Sequence, residues 1–118
     1  MLGDISEVTN IYIVCGYTDM RKSIDGLVAI VQESFELNPF DNSLFLFSGR
    51  RRDRLKALHW ESDGFCLLYK RLESGKFQWP RTEAEARNIT KQEFRWLMEG
   101  LSLDQPKALK KIESGDIY

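Results

Sequence analysis

Apolar residues fall along the chain in short runs with different periods, and each run predicts a secondary-structure element. The stretch NIYIVCG, Asn10 to Gly16, is rich in β-formers and ends in glycine, which predicts an opening strand. Five apolar residues then recur at helical spacing: Ile24, Leu27, Val28, Val31 and Phe35. This stripe predicts an amphipathic helix that Asp19 caps at its start and that Asn38-Pro39 ends.

The middle of the chain alternates between strand-like runs and turn residues. Leu44 to Phe47 are apolar on both faces and predict an interior strand. Arg54 to Trp60 predicts the next strand, and the Ser62-Asp63-Gly64 turn leads into a third from Phe65 to Leu72. A further short strand is predicted from Lys76 to Trp79. Because the connections are too short for crossovers, these strands predict an antiparallel meander.

A helix with clear start and stop signals is predicted near the C-terminus, from Ile89 to Gly100. Thr90 and Glu93 are spaced for a capping box at its start. Ile89 and Phe94 are spaced for a hydrophobic staple, and Gly100 is the kind of residue that ends a helix.

Together these elements predict a small single α+β domain, in which an antiparallel β-meander packs against an N-terminal amphipathic helix and a C-terminal capped helix. We expect this domain over residues 1–101, followed by a C-terminal tail, 102–118, that is partly helical or flexible. One shared core is expected between the first helix and the meander. Its predicted members are Phe45, Phe47, Leu67, Trp79, Ile24, Val28, Val31 and Leu97.

Composition narrows the class of protein. The 118 residues are 42% apolar and 30% charged, as in ordinary soluble domains, and contain no apolar run of the roughly 18 residues that span a membrane. MLGDISEVTN lacks the features of a signal peptide, so we expect a cytoplasmic protein. Cys15 and Cys66 lie in separate apolar runs and are expected to be reduced. With His59 as the only histidine, neither a zinc site nor a cofactor is expected.

The net charge of -1 conceals an uneven distribution of charge. Residues 1–43 carry two bases against seven acids, residues 44–79 eight bases against four acids, and residues 80–118 seven of each. The middle third is therefore the candidate surface for a polyanion. Its bases are Arg50, Arg51, Arg52, Arg54, Lys56, Lys70, Arg71 and Lys76.

Two interpretations are open for these bases, a solvated hairpin tip or a surface that meets phosphate. Residues 50–52 lie at a predicted hairpin tip, and antiparallel pairing would return Lys70 and Arg71 to the same edge as Arg54. The planar guanidinium of arginine suits phosphate oxygens, which favours a polyanion. Three aromatic residues among these bases are candidates for stacking on unpaired bases, or else for the core: Trp60, Tyr69 and Trp79.

Signals for catalysis are weak. His59 beside Glu61 fits a general base with an orienting partner, but it fits a cross-strand hydrogen bond better because no nucleophile motif accompanies it. A metal-dependent nuclease would need Glu61, Asp63 and another acid to converge. No glycine-rich phosphate loop occurs in the sequence. We therefore expect no catalytic residues and no enzymatic activity.

Four strings, taken together, resemble one known family. They are GYTDMRKSIDGL, LFLFSGRRRDRLKALHW, GFCLLYKRLESGKFQWP and ITKQEFRWLMEGL, which lie in that order within residues 10–101. The chain resembles the TnpB accessory protein, the product of the second open reading frame, of bacterial insertion sequences of the sixty-six group. Ser23 stands where the family has a glycine. His59 stands where an aromatic residue is usual, which weakens a catalytic role for it.

The resemblance implies a small, non-enzymatic companion of a separate transposase, needed for efficient transposition. We expect an accessory protein that contacts DNA through the basic edge of the meander, largely independently of sequence. The alternative is a protein-interaction module that docks on the transposase or on the other accessory protein of the same element. Its expected surface is the start of the first helix: Asp19, Met20, Arg21 and Lys22.

Overall fold

The computed structural model describes residues 5–81, 85–103 and 105, and the strands and helices within them form an α+β fold as predicted. The strands are β1 (Asn10–Val14), β2 (Ser43–Ser48), β3 (Arg54–Trp60), β4 (Phe65–Arg71) and β5 (Ala86–Ile89). The helices are α1 (Ile24–Ala29), which continues as a π-helical turn over Ile30–Ser34, and α2 (Lys91–Met98). None of these helices is long and apolar enough to cross a bilayer.

The strands form one mixed sheet in the order β4-β3-β2-β1-β5. The predicted meander is present in β2, β3 and β4, which pair antiparallel with Leu58 opposite both Phe45 and Leu67. Strand β1 pairs parallel with β2, so the connection through α1 is a crossover. Strand β5, which the sequence pattern did not indicate, pairs antiparallel with β1, with Ile89 opposite Ile11.

The predicted strand from Lys76 to Trp79 is wrong, because this segment joins no ladder of the sheet. Its two aromatic side chains are buried. The backbone N–H of Phe77 donates to the carbonyl of Arg52 at 2.8 Å, and the indole N–H of Trp79 donates to the carbonyl of Val14 at 2.9 Å. Phe77 and Trp79 alternate with polar residues as in a strand. They are instead core side chains of a segment without regular secondary structure.

The predicted start of the first helix is also wrong. Helix α1 begins at Ile24 after Ser23, whose side chain makes no capping hydrogen bond, and Asp19 lies four residues before this N-cap. The carboxylate of Asp19 instead accepts hydrogen bonds from the backbone and guanidinium of Arg21. The segment between β1 and α1 is therefore an extended connection with its own turn, and the site described below depends on it.

The core consists of two clusters, one on each face of the sheet, so the expectation of a single shared core is wrong. Successive side chains of a strand point to opposite faces, and β2, which is buried throughout, supplies both clusters. On the α1 face the buried residues are Val14, Leu27, Val31, Phe45, Phe47 and Leu58, with Ile24, Val28 and Leu67 packed against them. The α2 face includes Ile11, Leu46, Leu55, Phe77, Trp79, Phe94 and Leu97. Trp79 and Leu97 thus lie on the opposite face of the sheet from the other residues of the predicted shared core.

The predicted capping box is present at the start of α2, although the helix spans Lys91–Met98 rather than Ile89 to Gly100. The hydroxyl of Thr90 accepts from the backbone N–H of Glu93 at 3.0 Å, and the Glu93 carboxylate accepts from the Thr90 N–H at 2.8 Å. Ile89 and Phe94 lie in the same buried cluster, as a staple requires, although Ile89 itself ends β5. Beyond the helix, Leu103 is buried on the α2 face. The division of the chain at residue 101 stays a prediction, because residues 106–118 lie outside the described residues.

Candidate nucleic-acid interface

The loop between β2 and β3 carries the densest positive charge, and hydrogen bonds to its backbone carbonyls hold its conformation. The Ser48 hydroxyl donates to the carbonyl of Arg54 at 2.5 Å, which bridges the two strand ends. Within the loop, the Arg52 N–H donates to the carbonyl of Gly49 at 3.1 Å, and Arg52 has a φ of 61°. This tight turn leaves Arg50 and Arg51 exposed to solvent.

Arg52 differs from its neighbours, because it is not a fully exposed loop-tip residue. Its side chain is half-buried, and its Nε lies buried without a hydrogen-bond partner among the described residues. Its positive φ and the hydrogen bond from Phe77 to its carbonyl give it a structural role. The arginine triplet therefore separates into two surface residues, Arg50 and Arg51, and one that shapes the loop.

A second basic segment, residues 17–22, lies directly against this loop. The N–H of Thr18 donates to the carbonyl of Ser48 at 2.8 Å, which aligns the segment with the end of β2. Met20 packs onto Gly49 so closely that a Cβ on that glycine would lie 2.7 Å from the Met20 Cγ. The surface predicted for DNA and the surface predicted for a protein partner are therefore one continuous surface.

Arg50 is fixed by an aromatic residue of this second segment. Its Nη2 donates to the hydroxyl of Tyr17 at 2.7 Å, and its guanidinium carbon lies 4.4 Å from the centre of the Tyr17 ring. Tyr17 is itself 62% exposed, so the stacked pair stands at the surface. Sequence reasoning missed Tyr17, because its partner lies 33 residues further along the chain. A guanidinium held in this way retains free N–H groups for an incoming anion.

The two segments enclose an open cleft of about 390 Å³. Its lining residues are Tyr17, Thr18, Asp19, Met20, Gly49, Arg50, Arg51, Asp53 and Arg54. Three of them are arginines and two are aspartates. The carboxylate of Asp53 lies 3.8 Å from Nε of Arg54, which is beyond hydrogen-bonding distance.

Asp19 is already paired with an arginine outside the cleft lining. Its carboxylate accepts from Arg21 Nη2 at 2.8 Å, from Nε at 3.0 Å and from the backbone N–H at 2.9 Å. These bonds favour the ionised form, first through the guanidinium and then through the backbone, and hold the pKa of Asp19 well below its usual range. Arg21 thus offsets the negative charge of Asp19 in an exposed ion pair, and Lys22 adds positive charge.

The start of β3 and the end of β4 extend the basic surface on the α1 face. Arg54 lies opposite Arg71, and Lys56 lies opposite Tyr69, so these four residues share one face. The ammonium of Lys56 donates to the carbonyl of Lys22 at 2.6 Å. This hydrogen bond ties β3 to the 17–22 segment.

The other bases predicted to contact DNA differ from one another in position and in pairing. Lys70 lies opposite Leu55, whose side chain packs on the α2 face, so Lys70 is at the predicted end of the strand but on the other face of the sheet. Arg71 forms an exposed ion pair with Glu73 at 3.0 Å. Lys76 is exposed beside Phe77, which hydrogen-bonds the arginine loop. We call residues 17–22, 49–56 and 69–76 the basic end; these segments carry ten bases and three acids.

The three aromatic residues considered for base stacking have different positions. Trp79 is buried in the α2-face cluster, which agrees with the core alternative. Trp60 lies at the opposite end of β3 from the arginine loop, in contact with Phe40 and Phe65. Of these three residues, only Tyr69 is exposed at the basic end, and the Lys56 ammonium lies 5.6 Å from its ring centre.

The side chain of His59, the candidate general base, contacts two neighbouring polar side chains. His59 Nε2 lies 2.9 Å from the side-chain oxygen of Asn42, and Nδ1 lies 3.9 Å from the carboxylate of Glu61. These contacts match the cross-strand hydrogen-bonding interpretation. Within residues 5–81, 85–103 and 105, no group of three or more histidine, cysteine, aspartate or glutamate side chains is arranged to hold a metal ion.

Comparison with known proteins gives the chain a family. A family model described as IS66 Orf2-like protein matches residues 9–108. The uncharacterized protein y4hO of Sinorhizobium fredii is 38% identical over 97 residues, which cover 82% of this chain and 84% of that protein. A second protein of the same organism, the uncharacterized y4jC, is 36% identical over 89 residues, covering 75% and 76% of the two chains. No solved structure matches the chain significantly.

Proposed function

We propose, since the chain belongs to the IS66 Orf2-like family of transposition accessory proteins, that its basic end binds the phosphate backbone of DNA. Membership of the family supports a transposition-associated role as an accessory protein. Contact with DNA is the activity that the charge and geometry of the basic end favour. Phosphate contacts of this kind position a protein on a duplex without reading its sequence.

The observation that carries this proposal is the meeting of two basic segments that are far apart in the chain. The contacts of Thr18 with Ser48 and of Met20 with Gly49 bring residues 17–22 against the arginine loop. Concentrating like charges at one end of a domain raises their mutual repulsion. Such an arrangement is favourable when a polyanion neutralises it, which supports a phosphate-binding role.

The state of the acids at this end supports the same conclusion. Asp19 is neutralised by Arg21, and Glu73 by Arg71. The pairs leave Arg50, Arg51, Lys22 and Lys76 without carboxylate partners among the described ion pairs. Because Arg50 is held against Tyr17, less side-chain freedom is lost when it binds an anion.

The alternative role, docking on another protein of the element through residues 19–22, uses part of the same surface. Met20 is partly buried against Gly49, and Asp19 and Arg21 are paired with each other, so Lys22 is the side chain left to a partner. Lys22 is a cation on a surface that carries ten bases and three acids. The geometry therefore favours phosphate as the ligand, and protein docking becomes one outcome of the experiment below.

A salt titration of DNA binding tests the proposal. The affinity of the purified protein for a fluorescein-labelled 20-bp duplex would be measured by anisotropy between 50 and 200 mM salt, with an element-end sequence and an unrelated sequence. For about four to six phosphate contacts, log affinity should fall against log salt with a slope near -0.9 per contact. Changing Arg50→Gln and Arg51→Gln together should reduce the slope by up to about two units for both duplexes alike. Arg52 stays unchanged because it shapes the loop.

A matched variant removes two positive charges from the other side of the sheet. Arg87 lies on edge strand β5, opposite Ile13, and Arg95 is exposed on α2; neither belongs to the segments that form the basic end. The double change Arg87→Gln and Arg95→Gln should leave the slope as in the unchanged protein. Absence of binding near 50 mM salt would overturn the proposal. An unaltered slope in the Arg50/Arg51 variant would assign these arginines to a protein partner instead.

A further inference from the structure

A cluster of three aromatic rings lies at the end of the sheet opposite the basic end. The ring centres of Trp60 and Phe65 are 4.9 Å apart across the β3–β4 hairpin. Phe40, from the loop before β2, lies 5.1 Å from Trp60 and 5.3 Å from Phe65. Strand β3 runs from the basic end to this cluster over seven residues, which separates the two by about 20 Å at the rise of a strand.

The cluster is open to solvent although it is apolar. Phe40 is 50% exposed, and Trp60 and Phe65 are only partly buried. The loop that presents Phe40 is held in place: Pro39 is buried, and the Phe40 N–H donates to the side-chain oxygen of Asn38 at 2.9 Å. A fixed, exposed ring in contact with two others is the kind of apolar patch that marks an interaction site.

Acidic residues surround this patch, and bases are missing from the segments that form it. Asp41 follows Phe40, while Glu61 and Asp63 lie between Trp60 and Phe65, and all three are exposed. The sequence contains no lysine or arginine between Lys22 and Arg50 or between Lys56 and Lys70. In the described part of the chain, no ion pair joins these three carboxylates to a lysine or arginine.

We propose that this acidic aromatic patch, formed by Phe40, Trp60 and Phe65 with Asp41, Glu61 and Asp63, binds a basic segment of a partner protein. An apolar side chain of that segment would pack among the three rings, and its lysines or arginines would meet the carboxylates. Charge complementarity identifies this occupant, because carboxylates that have no lysine or arginine partner among the described ion pairs repel phosphate and attract cationic peptides. The patch is independent of the DNA-binding proposal, since it uses other residues at the other end of the sheet.

A second copy of this chain is a poorer match for the patch. The basic end of another copy would have to fill it, which makes a head-to-tail contact between two different surfaces. Contacts of that kind extend into open chains unless the rotation happens to close them into a ring. They would also cover the arginines of the basic end. The geometry therefore points to a separate protein.

The test uses a defined probe, a fluorescein-labelled 14-residue peptide of lysine and leucine at helical spacing, with binding followed by anisotropy at 50 mM salt. Two variants of the full chain are compared with the unchanged protein: Phe40→Ala, and the charge-removing pair Asp41→Asn with Glu61→Gln. Each should weaken binding of the peptide about tenfold or more, which corresponds to about 1.4 kcal/mol. The Trp60 indole signal in a ¹H–¹⁵N spectrum should move as the peptide is added.

Controls separate the patch from general electrostatic attraction. The pair Glu73→Gln with Glu99→Gln removes two exposed acids elsewhere and should leave peptide affinity unchanged. A peptide with serine in place of leucine should bind at least tenfold more weakly than the probe. Because the charge variants change only exposed side chains, loss of binding in them is separable from loss of folding, which circular dichroism would report.

Three results would overturn the proposal. The first is no binding of the probe by the unchanged protein. The second is an equal loss of affinity in the Glu73/Glu99 control, which would reduce the effect to net charge. The third is concentration-dependent self-association in sedimentation equilibrium that Phe40→Ala abolishes, since a second copy would then occupy the patch.

Discussion

At the scale of single residues, the contact between Gly49 and Met20 joins the two halves of the basic end. A methyl group at position 49 would lie 2.7 Å from the Met20 Cγ, so one of the two segments would have to move. Gly49→Ala should therefore lower the free energy of unfolding by about 1–3 kcal/mol, as overpacking does. Urea denaturation of the purified variant would measure this change.

The cause of that loss can be isolated with a second substitution and a control glycine. Met20→Ala in the Gly49→Ala background should restore part of the stability, so the two changes should be non-additive by about 0.5 kcal/mol or more. Gly64→Ala provides the control, because a Cβ there would meet nothing within 4 Å. Its effect should stay within about 0.5 kcal/mol of the unchanged protein. Additive effects of Gly49→Ala and Met20→Ala would contradict the packing argument.

At the scale of elements, the capping box of α2 is the clearest local stabilising feature. Thr90→Ala removes the acceptor of the Glu93 N–H and should lower the free energy of unfolding by about 1 kcal/mol. Thr90→Ser keeps a hydroxyl in the same place and should retain most of the stability. Urea midpoints for the three proteins would measure the difference. Equal loss in both variants would show that the methyl group of Thr90, rather than the cap, is responsible.

Elements with local signals could be predicted from the sequence, and elements defined by distant partners could not. The turn residues Ser62, Asp63 and Gly64 and the Thr90–Glu93 spacing are local signals, which is why the β3–β4 hairpin and the capping box of α2 are as predicted. Strand β5 has the sequence ARNI, with a buried residue only at its end, and it exists because its backbone pairs with β1. The start of α1 was misplaced because Asp19 hydrogen-bonds Arg21 instead of the helix.

The candidate site likewise has one part with local sequence signals and one part that distant contacts create. The arginine loop could be found from charge density and hairpin signals alone. Its junction with residues 17–22 could not, because the contact of Met20 with Gly49 and the pairing of Tyr17 with Arg50 join positions about thirty residues apart. Two sequence motifs assigned to two ligands were therefore parts of one surface, and only the tertiary contacts reveal it.

At the scale of the whole molecule, the sheet separates two cores that should contribute independently to stability. Val31→Ala on the α1 face should lower the free energy of unfolding by about 2 kcal/mol, and Leu97→Ala on the α2 face by about 2–5 kcal/mol. Because the two side chains belong to separate clusters on opposite faces of the sheet, the effect of the double variant should equal the sum of the single effects within about 0.5 kcal/mol. Chemical denaturation of all four proteins would test this. A coupling well above that limit would mean that the two clusters respond as one.

The pairing of β1 with both β2 and β5 has a consequence for synthesis of the chain on the ribosome. Strand β1 is made before β5, the strand that pairs with one of its edges, with Ile11 opposite Ile89. At about 5–20 residues per second, the 75 residues from Cys15 to Ile89 take about 4 to 15 seconds to translate. During that time the nascent chain presents an apolar strand with an open edge, which is prone to pair with other chains. The order of the strands thus links the exposure of this edge in the newborn chain to the speed at which the segments between β1 and β5 are translated.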